Sequence, residues 1–365
     1  MNATQTVFQL QSSETPEQDV LAIDVGYGYT KAVAANGQKV KFPSVVSPAW
    51  DLPLGDIAKK DMPGYHVKIR KATGNGGLNE EEKWFVGELA LVEGQEVQYT
   101  LEKIKYNHPS HHVLLLTAAA LVGQWQRSPM PLDASSSPVL VVGLPVDYYR
   151  DREHRDGLVK NIESLKAMVS VNDGDPVWVT FNQGSVLVYP QGAGALLTVE
   201  KLPPDGIVAL VDVGYKTTDC VALEKENGRQ RIVHSMCHSC DKGIHSLLEA
   251  VDEEFYKLKR TQLPLQHRMD ALSKGYIWFQ GEKIELAAAI QKAKQEVARA
   301  IADQVLAKWG ARSDYVRQAY LSGGGAKELP ELESMFSAST FIEKPQWANA
   351  EGFLKAGQEV KAAMR

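Results

Sequence analysis

Asp24 and Asp212 each close an apolar run, and each begins the same four residues, Asp-Val-Gly-Tyr. The first copy carries Gly26, Tyr27, Gly28, Thr30 and Lys31; the second carries Gly214, Tyr215, Lys216, Thr217, Thr218 and Asp219. Thr30 and Thr218 share one offset from their aspartates. Glycines permit backbone conformations closed to other residues, so successive N–H groups can converge on an anion. Lys31 adds a point charge for a phosphate oxygen, and Thr30, Thr217 and Thr218 add hydroxyl donors. A carboxylate beside polyphosphate is repelled unless a cation separates them, so Asp24 and Asp212 imply Mg2+, held largely through its waters. Either turn alone reads as a polar hairpin with a surface aspartate. Together they read as a phosphate and metal site.

The surrounding pattern says which elements must position these residues. Each copy lies between two strand-like segments and is followed by an Asn-Gly turn, Asn36-Gly37 or Asn227-Gly228, and by a third segment, Lys39 to Phe42 or Arg231 to His234. Duplication of a whole domain is the economical explanation. A dinucleotide fingerprint is excluded, because Lys31 stands where its third glycine belongs and a strand follows where a helix should. The Gly-x-x-x-x-Gly-Lys-Ser/Thr loop is absent too. A third glycine cluster, Ser322, Gly323, Gly324 and Gly325, follows the strand Gln318 to Leu321 and precedes an expected helix with Pro330 in its first turn. Its backbone can lie close to a flat ring.

The bulk numbers set the frame. A chain of 365 residues, 44% hydrophobic and 23% charged, can build about two domains with cores. A formal net charge of -5 gives no basic footprint, so no direct nucleic-acid binding is expected. Cys220, Cys237 and Cys240 cannot make a disulfide framework, which points to a reducing compartment and a cytoplasmic location. Residues 1–19 read as a flexible polar tail, and the longest apolar runs fall short of the roughly 20 residues of a membrane span, so no membrane partner is expected.

Taken in order, these motifs resemble the superfamily of actin, sugar kinases and DnaK-type ATPases, from about Val20 onward, and look most like the ParM/StbA plasmid-segregation proteins and archaeal actin-like ATPases. The resemblance implies an α/β, actin-like ATPase fold with two duplicated ribonuclease-H-like domains around a nucleotide cleft. The segment 24–31 resembles the first phosphate motif, 212–219 the second, and 322–326 the adenosine motif. Residues 189–196 resemble the first connecting segment, where Gln191 takes the place of the residue that positions the attacking water. Asn349 to Gly352 resembles the second connecting segment, and Asp241 to Ile244, including Gly243, the start of a helix near the nucleoside. The implied ligands are ATP or ADP with Mg2+. The implied catalytic set is Gln191, Asp212 and Asp24. Domain I is expected over residues 20–190 plus 347–365, with a small variable subdomain near 44–112, and domain II over 191–346.

Helical patterns cover Val113 to Gln126, Arg150 to Val169, Gly243 to Lys259 and Lys283 to Trp309. Cys237 and Cys240 form a single CxxC without a second pair and read as a strand end, not a zinc or redox site. His108, His111 and His112 read as solvated loop histidines. The resemblance favours a slow ATPase that polymerises head to tail with ATP, its partners being copies of itself and a DNA-binding adaptor. The alternatives are a small-molecule kinase with Asp147 as base, or an ATP-binding scaffold that does not polymerise.

Overall fold

A computed structural model describes residues 20–50, 63–73, 77–99, 105–125 and 137–363; the tail expected over 1–19 lies outside them. The first sheet contains β1 (Val20–Val25), β2 (Tyr29–Ala34), β3 (Lys39–Pro43), β4 (Val139–Leu144) and β5 (Val186–Pro190), in the spatial order β5-β4-β1-β2-β3. Every residue of β1 is buried, as expected of an unbroken apolar run covered on both faces. Strands β1, β2 and β3 form an antiparallel meander, whereas β4 and β5 run parallel to β1.

A second sheet repeats this plan. It contains β6 (Gly206–Val213), β7 (Thr218–Glu226), β8 (Arg229–Ile232), β9 (His238–Cys240), β10 (Val316–Ser322) and β11 (Ser339–Phe341), in the order β8-β7-β6-β10-β11, with β9 paired to β7. Asn227 and Gly228 both have positive φ, 52° and 77°, the geometry of a tight hairpin turn between β7 and β8. The strand order and directions match the first sheet position by position. In the paired registers Asp24 faces Lys31, and Asp212 faces Asp219.

Among the described residues the helices, besides the short Glu88–Glu93, are α1 (Pro109–Val122), α2 (Val146–Arg150), α3 (Arg152–Glu163), α4 (Ala193–Leu196), α5 (Ile244–Lys259), α6 (Leu265–Lys274), α7 (Ala287–Trp309) and α8 (Ala348–Ala363). Helix α1 is apolar all round because it lies between the first sheet and a third one. That third sheet joins strands from 45–99 to Lys166–Val171 and Val177–Thr180. Helix α8 returns the chain to the first sheet, where Phe353 packs with Ala22 and Val141. Among the described residues no helix is long and apolar enough to cross a membrane.

Three local expectations need correction. The helix expected from Arg150 to Val169 ends at Glu163, and Lys166–Val171 is a strand whose Ala167 and Val169 point into the core. The helix expected from Lys283 begins at Ala287, because Glu282–Glu285 pairs with Tyr276–Phe279 across Gln280 and Gly281, both at positive φ. The histidines are not solvated loop residues: His108 caps α1 by accepting from the Ser110 N–H, His111 is buried, and His112 Nε2 lies 2.5 Å from Asn161 Oδ1. The segment after the third glycine cluster forms 3-10 turns, with Pro330 opening the second.

Candidate functional site

The two Asp-Val-Gly-Tyr turns have one geometry. The Gly26 N–H donates to the Tyr29 carbonyl at 3.1 Å, and the Gly214 N–H to the Thr217 carbonyl at 2.8 Å. A β-carbon on either glycine would stand 2.8 Å from that carbonyl oxygen, so neither position admits another residue without a backbone shift. The turns also meet each other. The Tyr215 ring lies against Gly28, where a β-carbon would come within 2.8 Å of it, and Lys216 Nζ sits 5.3 Å from the centre of the Tyr27 ring.

Between them lies a cavity of about 460 Å³. Both aspartates line it and both are buried. Asp24 Oδ1 accepts from Gln191 Nε2 at 3.0 Å, and Asp24 Oδ2 pairs with Lys31 Nζ at 3.5 Å. Asp212 Oδ2 accepts from Asn349 Nδ2 at 2.6 Å, whereas its Oδ1 is buried with no hydrogen-bond partner. Burial, then the nearby Asp219 charge, push the Asp212 carboxyl up to about 7, against the opposing pull of Lys31 and the Asn349 amide. Asp219 is pushed up to about 6 by burial, although it accepts from Ser239 Oγ, from the Val146 N–H at 3.0 Å and from Thr217 Oγ1 at 3.2 Å.

The cavity is also lined by the Gly323, Gly324 and Gly325 backbone, with Gly323 against Asp212 and Gly325 against Gly214 and Ile244, and by Ile244, Leu248, Met269 and Leu272 from α5 and α6. Lys294 on α7 and Glu328 stand there as an ion pair of 3.2 Å. The lining therefore combines buried carboxyls and glycine turns with apolar side chains and one Lys–Glu pair.

Of the residues singled out from sequence, the cavity wall brings together Asp24, Gly26, Tyr27, Gly28, Lys31, Gln191, Asp212, Gly214, Tyr215, Thr217, Asp219 and Gly323 to Gly325. Five others stand behind it. Thr30 Oγ1 is buried and bonded to Ser44 Oγ at 2.9 Å, and Thr218 Oγ1 donates to the Lys242 carbonyl at 2.8 Å. Strand alternation turns both hydroxyls away from the cleft, which corrects the expectation that they face phosphate. Ser322 Oγ is spent on the Pro345 carbonyl, Lys216 lies over Tyr27, and Gly243 backs onto the Gly214 and Tyr215 carbonyls. Sequence reading placed Asn349 in the second connecting segment and Ile244 at the start of the nucleoside helix without giving either side chain a partner, and it missed Lys294, Glu328, Leu248 and the α6 side chains. An apolar helix stripe reads as core whether it faces a sheet or a ligand.

Among the described residues no group of three His, Cys, Asp or Glu side chains is placed to hold a metal, and burial pushes the Cys237 thiol up and the Cys240 thiol up to about 11.

Two sheets of identical strand order, meeting at a cleft between matched glycine turns, define an actin-like ATPase fold. Residues 22–194 match the family described as actin like proteins, N-terminal domain, and residues 210–334 match archaeal actin homologue MreB-like, C-terminal. The archaeal actin homolog of Thermoplasma acidophilum is 24% identical over 352 residues, 93% of this chain and 98% of that protein. A ParM subunit in a 15-stranded filament from Clostridium botulinum is 25% identical, with a TM-score of 0.78 over 94% of this chain and 99% of that one. An archaeal actin homolog in complex with ADP is 19% identical, with a TM-score of 0.71 over 93% and 99%. With both halves matched in order, the chain belongs to the actin-like ATPase superfamily and is similar to its ParM and archaeal-actin members.

Proposed function

We propose that this protein is a slow ATPase that assembles into filaments when it binds ATP and weakens them by hydrolysis, serving plasmid or DNA segregation in the cytoplasm through a separate DNA-binding adaptor. The observation that carries the nucleotide reading is the meeting of two matched turns across one cavity, with Asp24 and Asp212 beside them and the Gln191 amide on Asp24. The Gly26 and Gly214 N–H groups close the two turns, and the backbone N–H groups that follow them, at 27–28 and 215–217, grip the phosphates, with Lys31 as the nearest cation. Gly323 to Gly325 and the α5 and α6 side chains enclose the base, and Lys294 with Glu328 meets the sugar hydroxyls.

The donor set fits Mg2+. Asp24, Asp212 and Asp219 all line the cavity, Lys31 pairs with Asp24, and the buried Asp212 Oδ1 lacks a partner. Asp24 and Asp212 would hold the ion through its waters, and the ion would neutralise charge on the β- and γ-phosphate oxygens. Gln191 has given an amide N–H to Asp24, so it meets the attacking water with its carbonyl oxygen and its remaining N–H. A neutral amide orients a water but does not remove its proton, which is why hydrolysis is slow.

Assembly is carried by the likeness to a ParM that forms a 15-stranded filament. Head-to-tail contacts between copies produce an open helical polymer whenever the rotation does not close. The kinase alternative gains nothing from the fold, since Asp147 lies outside the cavity wall and accepts from the Ser239 N–H. Sedimentation and negative-stain microscopy with ATP, with ADP and without nucleotide, alongside phosphate release, test the proposal. Polymer that requires ATP supports it; phosphate release without polymer at any concentration rejects the filament.

A further inference from the structure

Asn349 sits at the start of α8, and its side chain bridges two parts of the site that are far apart in sequence. Its Oδ1 accepts from the Gly192 N–H at 2.9 Å, and its Nδ2 donates to Asp212 Oδ2 at 2.6 Å. A backbone N–H is only a donor, so this bond fixes which end of the amide faces Asp212. Gly192 reaches that position at φ 84°, and its neighbour Gln191 is tied down by its own N–H on the Leu144 carbonyl at 2.7 Å. The helices cannot slide to absorb a change, because a β-carbon on Gly352 would stand 1.7 Å from the Gly194 carbonyl oxygen.

The consequence falls on Asp212. With Oδ2 held by Asn349, its other oxygen stays bare beside Gly323, whose missing β-carbon would lie 2.6 Å from it. We infer that Asn349 is the positioning residue that aims Asp212 Oδ1 at the nucleotide-bound Mg2+ and links that aim to the segment carrying Gln191. This inference rests on the metal-nucleotide reading above. Side chains that orient a metal-facing carboxylate set metal affinity by about 10- to 100-fold on removal.

The test measures ADP affinity of the full chain by calorimetry in Mg2+ and in EDTA, with thermal unfolding as a check on folding. In the unaltered sequence Mg2+ tightens ADP binding. Asn349→Ala, and Asn349→Ser as a second variant of intermediate size, should cut that tightening by about 10- to 100-fold while affinity in EDTA stays within about twofold. In an Asp212→Asn background Asn349→Ala should add no further loss, because the residue acts through Asp212. Full tightening in both Asn349 variants overturns the inference, as does an equal loss in EDTA or an additive loss in the Asp212→Asn background. If the unaltered chain shows no Mg2+-dependent ADP binding, the site reading itself falls and takes this inference with it.

Discussion

A carboxyl group with one oxygen held and the other bare is costly to ionise inside a protein. Asp212 is such a group, and its folded pKa near 7 lies above its ordinary 3.8. The sign follows from linkage: the ligand-free fold holds the neutral carboxyl without penalty below about pH 4 and loses stability as pH rises toward 7. At pH 8 in EDTA, Asp212→Asn should therefore raise the unfolding free energy by up to on the order of 4 kcal/mol, with the gain vanishing near pH 4; denaturant titrations at both pH values check this. The same substitution should abolish phosphate release. Gln191→Ala should slow phosphate release on the order of a hundredfold with little change in nucleotide affinity, which single-turnover assays with parallel binding titrations resolve. At this scale much of the site was legible, because Asp24 and Asp212 repeat one motif. The hydroxyls of Thr30 and Thr218 were not, since the motif gives an offset but not the strand face on which that offset falls. Asn349 was placed in the second connecting segment, but its bonds were not legible, because its partners are 137 and 157 positions away in the chain.

Elements carry the site by close approach. The crossing of α4 and α8 admits no side chain at Gly352, and the obstructing atom is backbone, which cannot rotate aside. Gly352→Ala should cost about 1–3 kcal/mol or more, read from urea unfolding, with the loss of Mg2+-dependent binding following from the displaced Asn349. The meander of each sheet was readable from glycine turns and Asn-Gly pairs, because turn chemistry is local. Where the sequence misled, two periods overlapped. Lys166–Val171 carries an alternating strand pattern directly after a good helix, and Glu282–Glu285 precedes an alanine-rich one. Beside the glycine cluster and the start of α5, which carry motifs, the apolar wall from α5 and α6 was the least legible part, because its side chains also satisfy an ordinary core pattern.

For the whole molecule, the matched strand orders of the two sheets place each glycine turn at the same edge of its domain, so the turns face one another across the cleft. On the proposed function, nucleotide bound there would touch both halves and bias their relative orientation, linking occupancy to contacts between copies. In a sedimentation series, pelletable polymer should rise with protein concentration above a threshold in ATP, and the threshold should rise in ADP; equal thresholds would break the link between nucleotide state and assembly. The return of α8 to the first sheet has a temporal consequence. A ribosome making this chain completes both glycine turns well before it reaches residue 348, so a nascent chain lacks the amide that aims Asp212 and the phenyl ring that covers β1 and β4. On the function proposed above, translation order would delay metal-dependent nucleotide binding until the final helix has emerged.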